Sequence, residues 1–373
     1  MEIDLDAIVQ NFQTVRRHVA PSEVFAVVKS EAYAHGAVPV ARALAAAGVD
    51  GLAVALVDEG LQLRRAGLEG PLLVIGATLP AQYPVMADNQ MTPVLPDLPH
   101  LAAWAAEARR RGERLGYHLK VDVGLGRMGL LPDQGAAAAA AAAELADVVQ
   151  LEGVSGHLST PGGDESVNAA EEARFHRFCE PLRARFEGLK RHLAASQAAA
   201  RYKRMHLELV RIGGLIYGLQ HVTAGALDLR AAMTFKSAVA QVRELPAGWS
   251  VGYGRRLVVD RPTRMALLPL GWTDVFATTM LNRATVLIRG QRCRLIGLCT
   301  DFAMIDATEL AEVAVGDEAV IIGRQGAEET RAIELGQTGE ISTGQLLGKI
   351  SLRVPRIYRA GGREAGELSI LTG

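Results

Sequence analysis

At 373 residues the chain is long enough for about two domains, and with 49% hydrophobic residues it can bury a sizeable core. A formal net charge of −1 argues against a general basic field for nucleic acid, and no apolar run is long enough for a convincing membrane span. Three cysteines, Cys179, Cys293 and Cys299, give no disulfide framework and no metal-ligand spacing; with an acidic N-terminus lacking a signal-peptide pattern, they suit a reduced cytoplasm.

In chain order, residues 24–29, 51–55, 71–76, 91–94, 116–122, 151–156, 192–194 and 207–211 read as strands. Amphipathic segments at 38–47, 57–66, 101–111, 134–148 and 168–189 lie between most of them. The alternation predicts a parallel (β/α)8 TIM-type barrel. An open doubly wound sheet is the rival, but no Gly-x-Gly-x-x-Gly occupies the first βα turn. Past about Gly218 short β-rich runs follow at 234–243, 257–259, 263–270, 284–288, 293–298 and 318–322, punctuated by glycine and proline. They predict a mostly β C-terminal domain, with a short helix at 343–349 and a strand at 353–358. The expected division is a barrel at 6–222 and a β-rich domain at 223–373, with residues 1–5 joining the latter.

Chemistry-bearing residues fall at the ends of the expected barrel strands. Lys29 closes the apolar run Phe25-Ala26-Val27-Val28. A strand-end ammonium either snorkels to water or faces the βα loops where barrels build their sites. A partly desolvated lysine is more readily neutral and nucleophilic. The string Asp122-Val123-Gly124-Leu125-Gly126-Arg127 follows another strand; its glycines let the backbone approach a ligand, and Arg127 offers a planar fork for a carboxylate. His157 follows a third strand. Ser196 reads either as a helix N-cap or as a phosphate donor at a helix start, and the two roles are compatible. Gly213 and Gly214 can present bare amides to a phosphate.

The string Val28-Lys29-Ser30-Glu31-Ala32-Tyr33-Ala34-His35-Gly36 resembles the pyridoxal-phosphate lysine motif of the alanine racemase family. The resemblance extends through Lys120–Gly129, Arg211–Gly218 and Tyr253-Gly254 to Arg353-Val354-Pro355-Arg356-Ile357-Tyr358, nearly the whole chain. It implies an amino-acid racemase, an isomerase that makes D-amino acids used as cell-wall precursors. Pyridoxal 5'-phosphate would be held by Lys29, Tyr33, His157, Ser196, Arg211, Gly213 and Gly214. Arg211 would meet the pyridine nitrogen; an arginine leaves that nitrogen less than fully cationic, so the ring is a weaker electron sink than one paired with an aspartate. Lys29 and Tyr253 would be the two bases on opposite faces of the substrate carbon. A phenol ionises near pH ~10 in water, so such a base needs positive charge nearby. Arg127, Thr300 and Asp301 would contact substrate, and Lys120 would be carbamylated and orient Arg127. The family draws Tyr253 and the Thr300–Asp301 segment from a partner subunit, which implies a homodimer with shared sites. No metal and no nucleic acid are implied.

Several positions depart from the family pattern. Ala195 replaces an asparagine, Gly252 a serine, Trp272 a tyrosine and Thr300 a methionine, while Gly344 stands where the family has a phosphate-touching tyrosine. These changes leave open a racemase of a larger or more polar amino acid such as serine, beside the first reading, alanine. A same-fold pyridoxal-phosphate decarboxylase would pair the ring nitrogen with an acid and use a cysteine, against Arg211 and Tyr253. A non-catalytic cofactor-binding protein would need no opposing base.

Overall fold

The computed structural model describes residues 1–219 and 227–369. The expected domain boundary at 222/223 lies outside the described residues. Contacts group the chain into two compact units, one of Ile8–Ala32 with Ala37–Arg230, the other of Met1–Ala7, Tyr33–Gly36 and the chain from Ala231 onward.

The chain opens with β1 (Glu2–Asp4) and α1 (Leu5–Val19). The first unit is then built on β2 (Glu23–Val27), β3 (Gly51–Val54), β4 (Leu72–Val74), β5 (Thr92–Leu95), β6 (Leu115–Lys120), β7 (Val149–Ser155), β8 (Lys190–His192) and β9 (Leu209–Ile212). They form one eight-stranded sheet in the order β8-β7-β6-β5-β4-β3-β2-β9, every pairing parallel. A bridge between Ala195 and Arg211 brings its two ends together, so the barrel is nearly closed. Helices α2 (Lys29–Ala34), α3 (Ala37–Ala46), α4 (Val57–Arg65), α5 (Tyr83–Asp88), α6 (Leu98–Arg111), α7 (Gly135–Glu144), α8 (Glu165–Arg183) and α9 (Ser196–Arg201) fill the connections. Strands covered on both faces have no polar face, which is why β3, β4 and β9 are buried at every residue.

Several boundaries differ from expectation, among them the end of α7 at Glu144 and of β6 at Lys120, and two have a visible cause. α8 stops at Arg183 rather than near 189, and Pro181 in its last turn has no N–H to extend the ladder. β8 begins at Lys190, earlier than its apolar residues suggest, because Lys190 and Arg191 pair with Glu23 and Glu208 at 2.8 and 2.5 Å.

The second unit adds β10 (Met233–Ala238), β11 (Gln241–Leu245), β12 (Ser250–Val251), β13 (Leu257–Val258), β14 (Thr263–Leu268), β15 (Thr285–Ile288), β16 (Gln291–Leu298), β17 (Ala303–Asp306), β18 (Glu318–Gln325), β19 (Glu328–Thr330), β20 (Arg356–Ala360) and β21 (Arg363–Leu368). It is mostly β, with α10 (Ala332–Thr338) and α11 (Thr343–Gly348) beside the sheet β11-β14-β17-β16-β15-β18-β10-β1-β20-β21. β1 runs antiparallel to β10 and parallel to β20. The expected single strand at 234–243 is two: β10 pairs with β18, then Val239 and Ala240 donate to Asp317 and Leu267 carbonyls and the chain moves to β14 as β11. β20 starts at Arg356 rather than 353, after Pro355, and turns back into β21, whose residues are too exposed and charged to read as a strand.

Candidate functional site

Lys29 is separated from β2 by Val28 alone, and α2, which it begins, is left-handed. Ser30, Glu31, Ala32, Tyr33 and Ala34 have φ between 52° and 69°. Each such L residue costs roughly 1–2 kcal/mol, so neighbours must hold the turn. In the barrel unit, Ser30 N–H donates to Glu59 Oε1 (2.6 Å), while the Glu31 carboxylate accepts from Gln62 Nε2 (2.7 Å) and Ala37 N–H (3.0 Å). Residues 33–36 group with the second unit. There the buried Arg356 donates to Ala34 O (3.3 Å), and Gly36, at φ 90°, stands where a Cβ would collide with the Tyr358 hydroxyl. The sequence marks Lys29 as a strand end; the reversed-hand turn that follows it carries no glycine signal until Gly36.

Arg211 lies on β9, 4% exposed. Its Nη1 donates to His192 Nδ1 and His192 O, both 2.6 Å, and its Nη2 to Gly156 O at 2.7 Å. Among the described residues no carboxylate is within ion-pair distance of it. Burial, then Arg127, lowers it to about 10, so it stays cationic. His157 Nδ1 is 3.5 Å from Arg211 Nη2, and burial with the Arg211 charge pushes this imidazole down to about 3. Lys120 ends β6, 5% exposed, and donates to Ser155 O at 3.3 Å. Burial, then Arg211 and Arg127, holds its amine well below the ordinary lysine range.

The Arg127 loop is shaped by Asp122, whose carboxylate accepts from the N–H groups of Gly124 (2.9 Å), Gly126 (3.1 Å) and Arg127 (2.8 Å). Those donors hold Asp122 below the usual carboxylate range against its own desolvation. Arg127 itself is exposed. Ser196 is not the N-cap: Ala195 is, and Ser196 Oγ instead accepts from Gly213 N–H at 3.0 Å. The Gly213 amide is therefore engaged, and it joins Ser196 to the turn carrying Gly214.

Tyr253 belongs to the second unit and is 71% exposed. It follows the β12 strand between Gly252 and Gly254, at φ 70° and 71°, and the loop rests on a small core that includes Leu245, Val251, Met265 and Ile296. Its ring lies 6.3 Å from Trp272, and the two line a cavity of about 390 Å³. Arg353 staples this region: it pairs with Asp274 (2.6 Å) and Asp301 (2.7 Å) and donates to Thr273 Oγ1 (2.6 Å). Gly271 lets the Trp272 and Thr300 segments meet, since a Cβ there would strike the Cys299 and Thr300 carbonyls. Asp301 is thus half of an ion pair, and Thr300 is exposed. At Gly344 an added Cβ would meet nothing among the described residues nearer than Ser342 Oγ at 4.0 Å.

Sequence reasoning missed His118 and His192, which lie behind Arg211. The available signal is period: His118 is two residues before Lys120 on one strand, so both take the same face. Among the described residues no three His, Cys, Asp or Glu side chains cluster to hold a metal, and no helix is long and apolar enough to cross a membrane.

Two family profiles match: "Alanine racemase, N-terminal domain" over residues 3–221 and "Alanine racemase, C-terminal domain" over 232–358. The chain is 36% identical to the alanine racemase of Carboxydothermus hydrogenoformans, covering 96% of this chain and 98% of that one. It is 38% identical to that of Symbiobacterium thermophilum, covering 98% and 97%. Among solved structures, Bacillus anthracis alanine racemase with bound L-Ala-P superposes with TM-score 0.90 at 30% identity, covering 100% of this chain and 97% of that one. Bartonella henselae alanine racemase with covalently bound pyridoxal phosphate gives 0.87 at 26% identity, covering 96% and 98%.

Proposed function

The chain belongs to the alanine racemase family and is an amino-acid racemase; from that premise we propose that it interconverts L- and D-alanine with Lys29 and Tyr253 as its two bases. The observation that carries the reading is the buried Arg211: a cation with no carboxylate partner among the described residues, able to donate to an unprotonated ring nitrogen. That donor set fits pyridoxal 5'-phosphate: Ser196, Gly214 and Tyr33 would hold the phosphate, and Lys29 would take the aldehyde. When bound, the cofactor supplies that aldehyde and an electron sink that acidifies the substrate's Cα–H. The protein's own part is to hold and move protons. Lys29, at the head of the left-handed turn, takes or returns the α-proton from one side. Tyr253 Oη does so from the other, contributed by a second copy of the chain. Arg127 orients the substrate carboxylate, backed by a carbamylated Lys120, since a buried neutral amine is the form that takes up carbon dioxide. His157, kept neutral, lies beside Arg211, and Thr300 and Asp301 of the second copy would border the approach.

Open space at Gly344 and the short Thr300 favour a second reading, a larger or more polar substrate such as serine. The experiment adds pyridoxal phosphate to purified protein, follows the visible band, reduces with borohydride and maps the labelled peptide. The label is expected on Lys29, with deuterium entering Cα of alanine and kcat/KM higher for alanine than for serine, lysine or arginine. A colourless protein, or a Lys29→Ala variant that still inverts stereochemistry, overturns the reading.

A further inference from the structure

We propose that His118 is a positioning residue for Arg211, acting through His192, and that a one-way row of hydrogen bonds behind the guanidinium fixes its plane. The proposal rests on the reading of Arg211 as the partner of a ring nitrogen.

His118 on β6, His192 on β8 and Arg211 on β9 are all buried inside the barrel unit. His192 Nδ1 lies 2.6 Å from Arg211 Nη1, and His192 Nε2 lies 2.7 Å from His118 Nδ1. A guanidinium has donors only, so His192 Nδ1 must accept. The His192 proton is then on Nε2, and that N–H donates to His118 Nδ1. His118 in turn carries its proton on Nε2, which faces Glu152 Oε2 at 3.9 Å on the neighbouring strand β7. The direction of the whole row follows from one end.

Protonating either imidazole would set a donor against a donor beside a cation. Burial and the Arg211 charge hold both histidines far below their ordinary range, and Lys190 adds to this at His118. The backbone is cut to fit the row. A Cβ on Gly153 would collide with His118 Nδ1, and one on Gly116 with the Glu152 carboxylate. With Nη1 committed to His192 Nδ1 and O, and Nη2 to Gly156 O, the guanidinium plane is set. Nη2 also lies 3.5 Å from Leu193 O and from His157 Nδ1, so the Nε–H is the donor left for a further acceptor. Without an acceptor at His118, the His192 N–H is orphaned in the interior, its ring reorients, and Arg211 loses its seat.

The test compares His118→Leu, which removes the acceptor, with His118→Asn, whose amide oxygen can stand near the Nδ1 position. In nitrogen-15-labelled, cofactor-free protein, both histidines are expected as Nε2–H tautomers with bare Nδ1, unchanged between about pH 6 and 9. In cofactor-loaded enzyme, His118→Leu is expected to lower kcat roughly tenfold with KM within about twofold, the size of one lost buried hydrogen bond, and to shift the visible band. His118→Asn is expected to restore both. An Nδ1–H tautomer at either histidine overturns the proposal, a result that needs no variant to fold. So does a normal kcat and band in His118→Leu, and so does equal loss in Leu and Asn, which marks mere packing. Arg211→Lys separates the two readings: an unmoved band with the histidine tautomers as stated removes the ring-nitrogen reading and leaves the row standing.

Discussion

A buried histidine that stays neutral is a debt called in by acid. In the unfolded chain His118 takes a proton near pH ~6.5, while in the folded protein burial, Lys190 and Arg211 delay that to about 3. The unfolded state therefore binds more protons between those values. The stability contributed is full above about pH 6.5 and falls as pH drops toward 3, by about 1.4 kcal/mol per unit for this group well inside the window. Urea unfolding at stepped pH is expected to show a steep acid limb that is shallower in His118→Asn; an unchanged slope would show that His118 does not titrate in this way. Legibility at this scale was uneven. Lys29, Arg127 and Arg211 stand out because a charge beside an apolar run needs a partner. His118 and His192 do not, because a lone histidine in a strand has no sequence mark that it touches another. Ser196 reads as a cap, yet its hydroxyl takes Gly213 N–H, a choice made across a barrel loop.

Among elements, α2 is the one whose hand the residues do not announce. Five successive positive φ values in non-glycine residues are sustained by Glu59, Glu31 and Arg356 rather than by local preference. Ser30 is exposed at φ 52° and its backbone N–H makes its bond to Glu59, which glycine keeps. Ser30→Gly is thus expected to stabilise by about 0.5–1 kcal/mol, the αL penalty less the glycine entropy cost. Denaturant unfolding measures it, and a loss of stability would show that the turn is not strained at this residue. The β-strands were legible where both faces are buried. Their ends moved where ion pairs, as at Lys190 and Arg191, carried polar residues into the sheet.

For the whole molecule, the second unit exposes Trp249, Tyr253, Phe302 and Leu352 at 52, 71, 45 and 59%. Large apolar groups left open in this number mark an interaction surface. If Tyr253 serves the barrel of a second copy, Lys29→Ala and Tyr253→Phe homodimers should each lose roughly 10²–10⁴ in kcat. Mixed and allowed to exchange, they should recover up to about a quarter of wild-type activity, since one site in each hybrid has both intact bases and random assortment makes half the dimers hybrid. No recovery, with exchange verified by mass, would place both bases on one chain.

The sequence by itself determined the alternation of strand and helix, the change to β texture after the barrel, and the strand-end lysine and arginines. Periodicity and charge-beside-apolar placement are local properties, and local properties survive in a linear string. Tertiary structure alone decided the left-handed turn, the ladder that joins β1 to β10 and β20, the Arg353 staple and the row His118–His192–Arg211. Each depends on groups far apart in the chain, and no spacing rule records which distant carbonyl, carboxylate or ring will stand within hydrogen-bond reach once the barrel has closed.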